Sequence, residues 1–223
     1  MQPRTIAISD IHGHAQALDA ILAAIEPLPA DTLVFLGDYV DLGPDSKGVL
    51  ERLLGLDKQF HVVALMGNHE EMMAGAREGR SDLRFWMNFG ARETLESYGR
   101  AGDLRQVPFE HFRFLKGLPV FYETETHFFI HANYDPNRPL DQQESATALW
   151  KHLDGIPLPH ASGKIAVVGH TPQTTGRILD LPHVKCIDTG CGHGGPLTAL
   201  DVGHGQIWQV DEFGRRQDDR KTA

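Results

Sequence analysis

Cysteine, excess positive charge and long apolar runs are all scarce in this 223-residue chain. Its two cysteines, Cys186 and Cys191, cannot form a dense disulfide framework, and without a second pair at ligand spacing they do not predict a zinc site of their own. Acidic residues outnumber basic ones by 30 to 21, and the resulting net charge of −9 argues against a nucleic-acid groove. A small phosphorylated ligand remains compatible with this charge, because a bound metal ion can override it locally.

The chain also lacks an apolar run that could cross a bilayer, and Met1–Arg4 leads directly into a predicted strand rather than into a signal segment. With both cysteines interpreted as reduced thiols, these features predict a cytoplasmic protein without a membrane partner. Hydrophobic residues make up 41% and charged residues 23%, as in globular proteins. The length predicts one domain, 1–223.

Short β-branched runs alternate with helical patterns in the first third of the chain. Strands are predicted at 4–9, 32–36 and 61–66, with helices at 14–25 and 46–54 between them. This alternation predicts a largely parallel sheet covered by helices, an α/β arrangement. We expect a helical insertion at about 70–116, within the same domain. The remaining predicted strands are 119–124, 127–131, 164–168, 184–188, 196–202 and 206–210.

Five of the predicted strands run into potential metal ligands. These ligands are Asp10 with His12, Asp38, Asn68, His131 and His170. Sites in α/β proteins form outside the carboxyl ends of strands, so we expect the six side chains to converge. Structural histidines are the alternative for His131 and His170, but five such strand ends together favour a metal centre. Carboxylate and amide oxygens with imidazole nitrogens suit a divalent first-row metal ion.

The six ligands divide into two groups that share one carboxylate. We predict that Asp10, His12 and Asp38 hold one ion, and that the second is held by Asp38, Asn68, His131 and His170. Asp38 would bridge the ions, as two-metal hydrolases require for ions about 3.5–4 Å apart.

His69 lies beside Asn68 and is predicted to act differently from it. An imidazole has a pKa near operating pH and can protonate a leaving oxygen, provided that a carboxylate orients it. Asp41 is the leading candidate for that carboxylate. The alternative for Asp41 is a loop residue that caps the helix after Pro44.

These motifs, in this order, resemble those of the calcineurin-like metallophosphoesterases. More narrowly, the chain is similar to the bacterial and phage branch of the phosphoprotein phosphatase (serine/threonine phosphatase) family. The motifs are Asp10-Ile11-His12-Gly13, Gly37-Asp38-Tyr39-Val40-Asp41-Leu42-Gly43, Gly67-Asn68-His69-Glu70, His131 and Gly169-His170-Thr171, followed by Ile187-Asp188-Thr189-Gly190 and Gly194-Gly195. Such a set is specific for fold and metal centre and much less so for substrate.

The resemblance implies a two-sheet β-sandwich flanked by helices. It implies the metal ligands above, with His69 and Asp41 as the general-acid pair. The implied reaction is direct in-line attack on phosphorus by a metal-bound hydroxide, without a covalent phosphoenzyme. It favours Mn²⁺, while the ligand types also suit Fe, Zn²⁺ or Co²⁺.

One position departs from the family pattern. The second motif usually ends Asp-Arg-Gly, and its arginine contacts the substrate phosphate; this chain has Leu42 there. Another cation can replace it, with Arg92, Lys151 and Arg138 as candidates and Asn68 as a further phosphate contact. A leucine at this position is also compatible with a different substrate or with a catalytically weak site. Exposed, solvated side chains are the alternative for Arg92 and Lys151.

Two enzymatic hypotheses follow, with phosphorylated substrates as the predicted partners. The first is a serine/threonine-phosphatase-like phosphomonoesterase. The second is a symmetrical dinucleoside tetraphosphate hydrolase, for which Phe85, Trp86 and Phe89 could stack a base, although their spacing favours a helix core. A nuclease is disfavoured by the charge. A metal-binding pseudoenzyme or sensor is supported by Leu42 alone, and the His69–Asp41 pair argues against it.

Overall fold

Two five-stranded sheets pack against each other at the centre of the molecule. The computed structural model describes residues 3–80, 82–99 and 103–216. The strands are β1 (Thr5–Ile8), β2 (Thr32–Phe35), β3 (His61–Ala64), β4 (Phe121–Glu123), β5 (His127–Ile130), β6 (Ile165–Val168), β7 (Leu179–Asp180), β8 (Val184–Cys186), β9 (Leu197–Asp201) and β10 (Ile207–Val210). The α-helices are α1 (Ala15–Ile25), α2 (Ser46–Leu56), α3 (Asn68–Glu78), α4 (Leu83–Met87), α5 (Ala91–Ser97) and α6 (Phe109–Lys116).

Both sheets are mixed, with a parallel centre. The first has the order β10-β9-β1-β2-β3. Its strands β1, β2 and β3 are parallel, and β9 pairs antiparallel with both β1 and β10. The second has the order β4-β5-β6-β8-β7, in which β5, β6 and β8 are parallel and the edge strands are antiparallel. The two-sheet fold implied by the resemblance is therefore confirmed, and the βαβ alternation of the first third of the chain forms the parallel strands β1, β2 and β3 of the first sheet.

The strands are apolar on both faces because each sheet is covered twice. Ala7, Val34 and Phe129 belong to a buried cluster that joins the two sheets. On the outer side of the first sheet, helices α1 and α2 contribute Leu18 and Leu53 to a second cluster. Burial on both faces explains why these strands appear in the sequence as continuous apolar runs rather than as alternating ones.

Helices α3 to α6 occupy the stretch predicted as a helical insertion. Helix α3 packs against α4 and α6, and α5 packs against α2. Residues 81 and 100–102 of this stretch, and the chain ends 1–2 and 217–223, lie outside the described residues. The assignment of 1–223 to one domain therefore stays a proposal. Within the described residues, none of the helices combines the length and the apolar character that crossing a membrane requires.

Candidate metal centre

The loops at the carboxyl ends of strands from both sheets meet in one cavity. It has a volume of about 320 Å³, and five of the six predicted ligands line it. The sixth, His131, is fully buried and hydrogen-bonds to Asn68, with 3.0 Å between His131 Nε2 and Asn68 Oδ1. The structure thus brings together all six predicted ligands: Asp10, His12, Asp38, Asn68, His131 and His170.

Potential ligand atoms form two groups that share Asp38. In each group, one atom from each residue lies within 4.8 Å of the others; the groups are His12, Asp38 and His69, and Asp38, His131 and His170. The two carboxylate oxygens face different groups: Asp38 Oδ2 is 3.6 Å from His12 Nε2, and Asp38 Oδ1 is 3.4 Å from His131 Nε2. This geometry is what a bridging carboxylate needs.

Backbone carbonyls orient three of the imidazoles. His12 Nδ1 lies 3.1 Å from the Val40 carbonyl oxygen, and His131 Nδ1 lies 2.8 Å from that of Leu36. A carbonyl can only accept, so both Nδ1 atoms donate and each Nε2 is directed to the centre. The His170 ring is turned the other way, with Nε2 3.0 Å from the Trp150 carbonyl oxygen and Nδ1 left as the potential ligand.

Asp10 provides a test of whether these residues fit a cation. Its Oδ2 accepts a hydrogen bond from the His170 backbone N–H at 2.9 Å, but its buried Oδ1 has no hydrogen-bond partner in the described part of the chain. Burial raises the pKa of Asp10 well above its usual value, and the nearby Asp188 raises it further. No lysine or arginine of the described residues lines the cavity to compensate these carboxylates. A mixed oxygen and nitrogen set with an unsatisfied buried oxygen fits divalent metal ions.

The glycines before two ligands are explained by close contacts. A Cβ on Gly169 would lie 2.2 Å from Asp10 Oδ1, and a Cβ on Gly67 would lie 2.2 Å from Asp38 Oδ1. Neither distance is possible for a carbon and an oxygen that are not bonded. The Gly-His and Gly-Asn pairs seen in the sequence are therefore required for the carboxylates to approach the loops that carry His170 and Asn68.

Backbone strain is concentrated at the same place. Six non-glycine residues of the described chain have positive φ, and only Glu26 of them lies away from the centre. The others are His12 (48°), Asp38 (54°), Asp41 (72°), Leu42 (67°) and His170 (60°). Each such conformation costs on the order of 1–3 kcal/mol, and such strain is typical of functional sites.

Glu70 holds the strained loop after β2 in place. Its carboxylate accepts hydrogen bonds from the backbone N–H groups of Asp38 (2.7 Å), Tyr39 (2.7 Å) and Val40 (3.2 Å), and from that of Gly67 (3.0 Å). Glu70 lies in the first turn of α3. Its contact with the loop of Asp38 could not be predicted, because it depends on how β2 and α3 meet.

His69 and Asp41 form a buried pair, with 2.7 Å between His69 Nδ1 and Asp41 Oδ2. The alternative role for Asp41 as a helix cap is wrong, because the cap of α2 is Asp45, which accepts from the Gly48 N–H at 2.8 Å. Burial lowers the pKa of His69, but Asp38 and Asp41 more than offset this and raise it to about 9. His69 Nε2 lies 3.9 Å from Asp38 Oδ2, next to the cavity.

Two residues of the insertion hold Asp41, and neither role was predicted from the sequence. Trp86 Nε1 donates to Asp41 Oδ2 at 2.7 Å, and Thr94 Oγ1 donates to Asp41 Oδ1 at 2.6 Å. Trp86 is fully buried, which agrees with its expected place in a helix core. A buried indole N–H requires a hydrogen-bond acceptor, and this requirement was the only feature of the sequence that pointed to a contact of this kind.

The cations suggested as substitutes for the family arginine lie elsewhere. Arg92 is exposed and pairs with Glu96, with 2.9 Å between Nε and Oε1. Arg138 pairs with Glu144 at 2.7 Å, and Lys151 is exposed. None of the three lines the cavity within the described residues, so the suggestion that Arg92, Lys151 or Arg138 contacts a phosphate there is not supported by their positions.

Other residues line the cavity that were not predicted as site residues. Leu42 does so itself, together with Asn88, Phe89, Trp150, His152, Pro172, Asp188 and His193. His152 stacks on His170, with ring centroids 4.5 Å apart. Burial raises the pKa of Asp188 to about 6. The Asp188-Thr189-Gly190 motif had pointed to the loop that carries Asp188 through the family resemblance. Nothing in the sequence indicated that His152 or His193 would reach the cavity. Cys186 and Cys191 are free and buried.

Comparison with known proteins agrees with this geometry. The model of the calcineurin-like phosphoesterase family matches residues 3–209. The serine/threonine-protein phosphatase 1 of Salmonella typhimurium is 32% identical over 211 residues, which cover 87% of this chain and 90% of the relative. An asymmetrical bis(5′-nucleosyl)-tetraphosphatase of Anoxybacillus flavithermus is 27% identical and matches 75% of this chain and 74% of its own.

A solved structure described as a putative diadenosine tetraphosphatase superposes with a TM-score of 0.71. It covers 93% of both chains at 24% identity, which supports the fold. The family match spans most of the chain, and the Salmonella relative is similar over nearly its whole length. The chain therefore belongs to the metal-dependent calcineurin-like phosphoesterases and is a phosphoester hydrolase.

Proposed function

We propose that this protein is a phosphomonoesterase of the serine/threonine phosphatase kind that works with two metal ions. The observation that carries the proposal is the position of Asp38, whose two oxygens face two separate groups of potential ligands. The nearby His69–Asp41 pair supports it further, because a protein that only binds metal does not need a proton donor. The long match to the Salmonella serine/threonine-protein phosphatase favours this substrate class.

In this proposal Asp10, His12 and Asp38 hold one ion, and the other is held by Asp38 with Asn68, His131 and His170. Bound ions would lower the pKa of water and neutralise charge on the phosphoryl oxygens. We propose manganese, on the resemblance to the bacterial branch, since the ligand types alone also suit iron, zinc or cobalt. The predicted cytoplasmic location stays a prediction.

His69 donates the proton to the leaving oxygen in this mechanism. Asp41 accepts from His69 Nδ1 and fixes the ring, so that Nε2 is the atom that faces the cavity. In the protein without metal the pKa of this imidazole is raised to about 9, and its hydrogen bond to Asp41 favours the protonated form that donates here. Asn68, which also lines the cavity, is the remaining predicted contact for a phosphoryl oxygen.

A second candidate function is hydrolysis of dinucleoside polyphosphates. One observation favours it: Phe89 and Trp150 line the cavity beside the ligands, where they could contact a nucleobase. The similarity to the Anoxybacillus tetraphosphatase also supports it, over about three quarters of each chain.

The test is turnover by metal-stripped protein after reconstitution with Mn²⁺. The substrates are p-nitrophenyl phosphate, a phosphothreonine peptide and diadenosine tetraphosphate. We expect hydrolysis of p-nitrophenyl phosphate and of the peptide. Preference for the dinucleotide would replace the first function by the second. Binding of two metal ions without turnover of any substrate would contradict both and favour the pseudoenzyme.

A further inference from the structure

A second cleft lies beside the cavity at the metal centre. This cleft has a volume of about 180 Å³ and is lined by Glu71, Met72, Gly75, Arg80, Phe85 and Trp150. Trp150 lines both the cleft and the cavity. Because Trp150 belongs to both, the cleft is the neighbouring depression towards which the leaving group of a phosphoester bound at the ligands can point.

Three aromatic rings lie where the cavity and the cleft adjoin: Phe89 lines the cavity, Phe85 lines the cleft and Trp150 lines both. The centroids of Phe85 and Phe89 are 5.0 Å apart, and Trp150 lies 6.3 Å from each of them. Phe85 remains 47% exposed, whereas its neighbour Trp86 is completely buried. The helix core therefore explains Trp86 but leaves much of the Phe85 ring in contact with solvent.

The orientation of Trp150 is set by a hydrogen bond, because its Nε1 donates to Glu71 Oε2 at 2.7 Å. Since the indole N–H is already used, Trp150 offers its ring to a ligand. Exposed aromatic rings beside a reaction centre provide flat apolar surfaces, on which other planar rings stack.

Among the residues that the structure describes, no cation occupies the position of the family arginine in the cavity. Leu42 stands there, close enough to Gly90 and Gly192 that a Cβ on either would lie 2.9 Å from one of its methyl carbons. Within the described residues, aromatic, aliphatic and neutral polar groups thus surround the carboxylates and imidazoles of the centre. These groups can make apolar contacts with a leaving group, but they cannot form an ion pair with it.

We propose that Phe85 and Trp150 form a binding site for a planar aromatic ring in the leaving group of the substrate. A nucleobase and an aryl ring share this chemistry. The proposal rests on the phosphoesterase function above, and it makes Phe85 a specificity-determining residue. Stacking on an aromatic side chain favours a ring-bearing ligand by about tenfold or more.

Matched substrates isolate the effect of the ring. The first pair is adenosine 5′-monophosphate and ribose 5-phosphate, which release the same kind of alkoxide with and without a nucleobase. The second pair is benzyl phosphate and butyl phosphate, which differ in the same way by an aryl ring. In the wild-type protein with Mn²⁺, we expect kcat/KM to favour the ring in at least one pair by about tenfold. Preference in the first pair identifies a nucleobase site, and preference in the second an aryl site. Equal values in both pairs would overturn the proposal.

Three variants test whether the cleft is responsible. Phe85→Leu keeps an apolar side chain but removes the aromatic ring, so the ratio of kcat/KM values within a substrate pair should fall close to one. Phe85→Tyr keeps the ring and should retain the wild-type ratio. Phe109→Leu, at a phenylalanine that is 74% exposed on α6 and lines neither cavity, is the matched control. A ratio unchanged in Phe85→Leu would refute the site.

A binding experiment separates this proposal from the phosphoesterase function. Adenosine and benzyl alcohol, which carry no phosphate, are titrated against the protein while tryptophan fluorescence is recorded. If none of the phosphates is hydrolysed, the proposed function fails. Quenching that is present in the wild type and lost in Phe85→Leu would still support the ring site, and its absence would overturn it.

Discussion

Thr94→Val removes one hydroxyl group that contacts Asp41 twice. Thr94 Oγ1 donates to Asp41 Oδ1 at 2.6 Å and accepts from the Asp41 backbone N–H at 2.7 Å. Valine has nearly the same shape, so the buried site is not opened by a cavity. The substitution therefore tests whether the insertion orients the carboxylate on which His69 depends.

The expected size follows from the groups that remain. Ser46 Oγ, 3.1 Å from the Asp41 nitrogen, keeps the backbone N–H paired, and His69 and Trp86 still hold Oδ2. What is lost is the hydrogen bond to the Asp41 carboxylate, together with the 2.9 Å hydrogen bond between the Ser46 and Thr94 hydroxyls, so the free energy of unfolding should fall by about 2 kcal/mol. General acid catalysis contributes about 10²–10⁴-fold, and partial misplacement of His69 should lower kcat by about tenfold for alkyl phosphates.

The assay compares an alkyl phosphate with p-nitrophenyl phosphate, whose leaving group needs little protonation. We expect the loss to be concentrated on the alkyl substrate, with two metal ions per chain retained and with Thr94→Ser close to wild type. Urea unfolding measures the change in stability. An equal loss of kcat on both substrates, or loss in Thr94→Ser as well, would refute the assignment of Thr94 as a positioning residue for the proton donor.

The remaining predictions concern the ions and the phosphate. Asp38→Asn should reduce metal content at both sites and abolish turnover; two retained ions with full activity would exclude a bridging role. Leu42→Arg should increase kcat/KM for phosphomonoesters, because Leu42 lines the cavity; no gain would mean that another group already binds the phosphate. Burial lowers the pKa of His131, but Asp38 raises it to about 10 in protein without metal. His131 must become neutral to bind an ion, so Mn²⁺ binding at pH 7.5 should release a proton and strengthen as pH rises towards 10. Calorimetry in buffers of different ionisation enthalpy measures this release, and binding without proton release would contradict it.

Much of the site was predictable because its parts are local in the chain. A buried strand, a glycine and a ligand follow one another within a few residues, as in Gly37-Asp38 and Gly169-His170. Parallel neighbours end at the same edge of a sheet, so the ends of β1 and β2 had to be close. The convergence of the ligands therefore followed from short motifs and from the direction of the strands.

The division into two sheets was not decided by the local pattern. The βαβ alternation is compatible with one sheet, whereas β5 and β6 lie in a second sheet whose Phe129 and Val167 share a buried cluster with Ala7 and Val34 of the first. The sequence alone indicated the second sheet through family resemblance. The short edge strand β7 was missed, because two residues carry no periodicity.

Amino-acid order was sufficient to predict that the six candidate ligands converge and that His69 pairs with Asp41, and to identify the family, because each depends on residue type and on short spacing. Contacts between distant segments decided the rest. Trp86 and Thr94 lie 45 and 53 residues from Asp41 in the chain, and their hydrogen bonds to it exist only after α4 has packed against α3 and α5 against α2. The two alternatives for Arg92 could not be separated for the same reason: charge is visible in a sequence, but packing decides whether a side chain faces a cavity or a neighbouring Glu96.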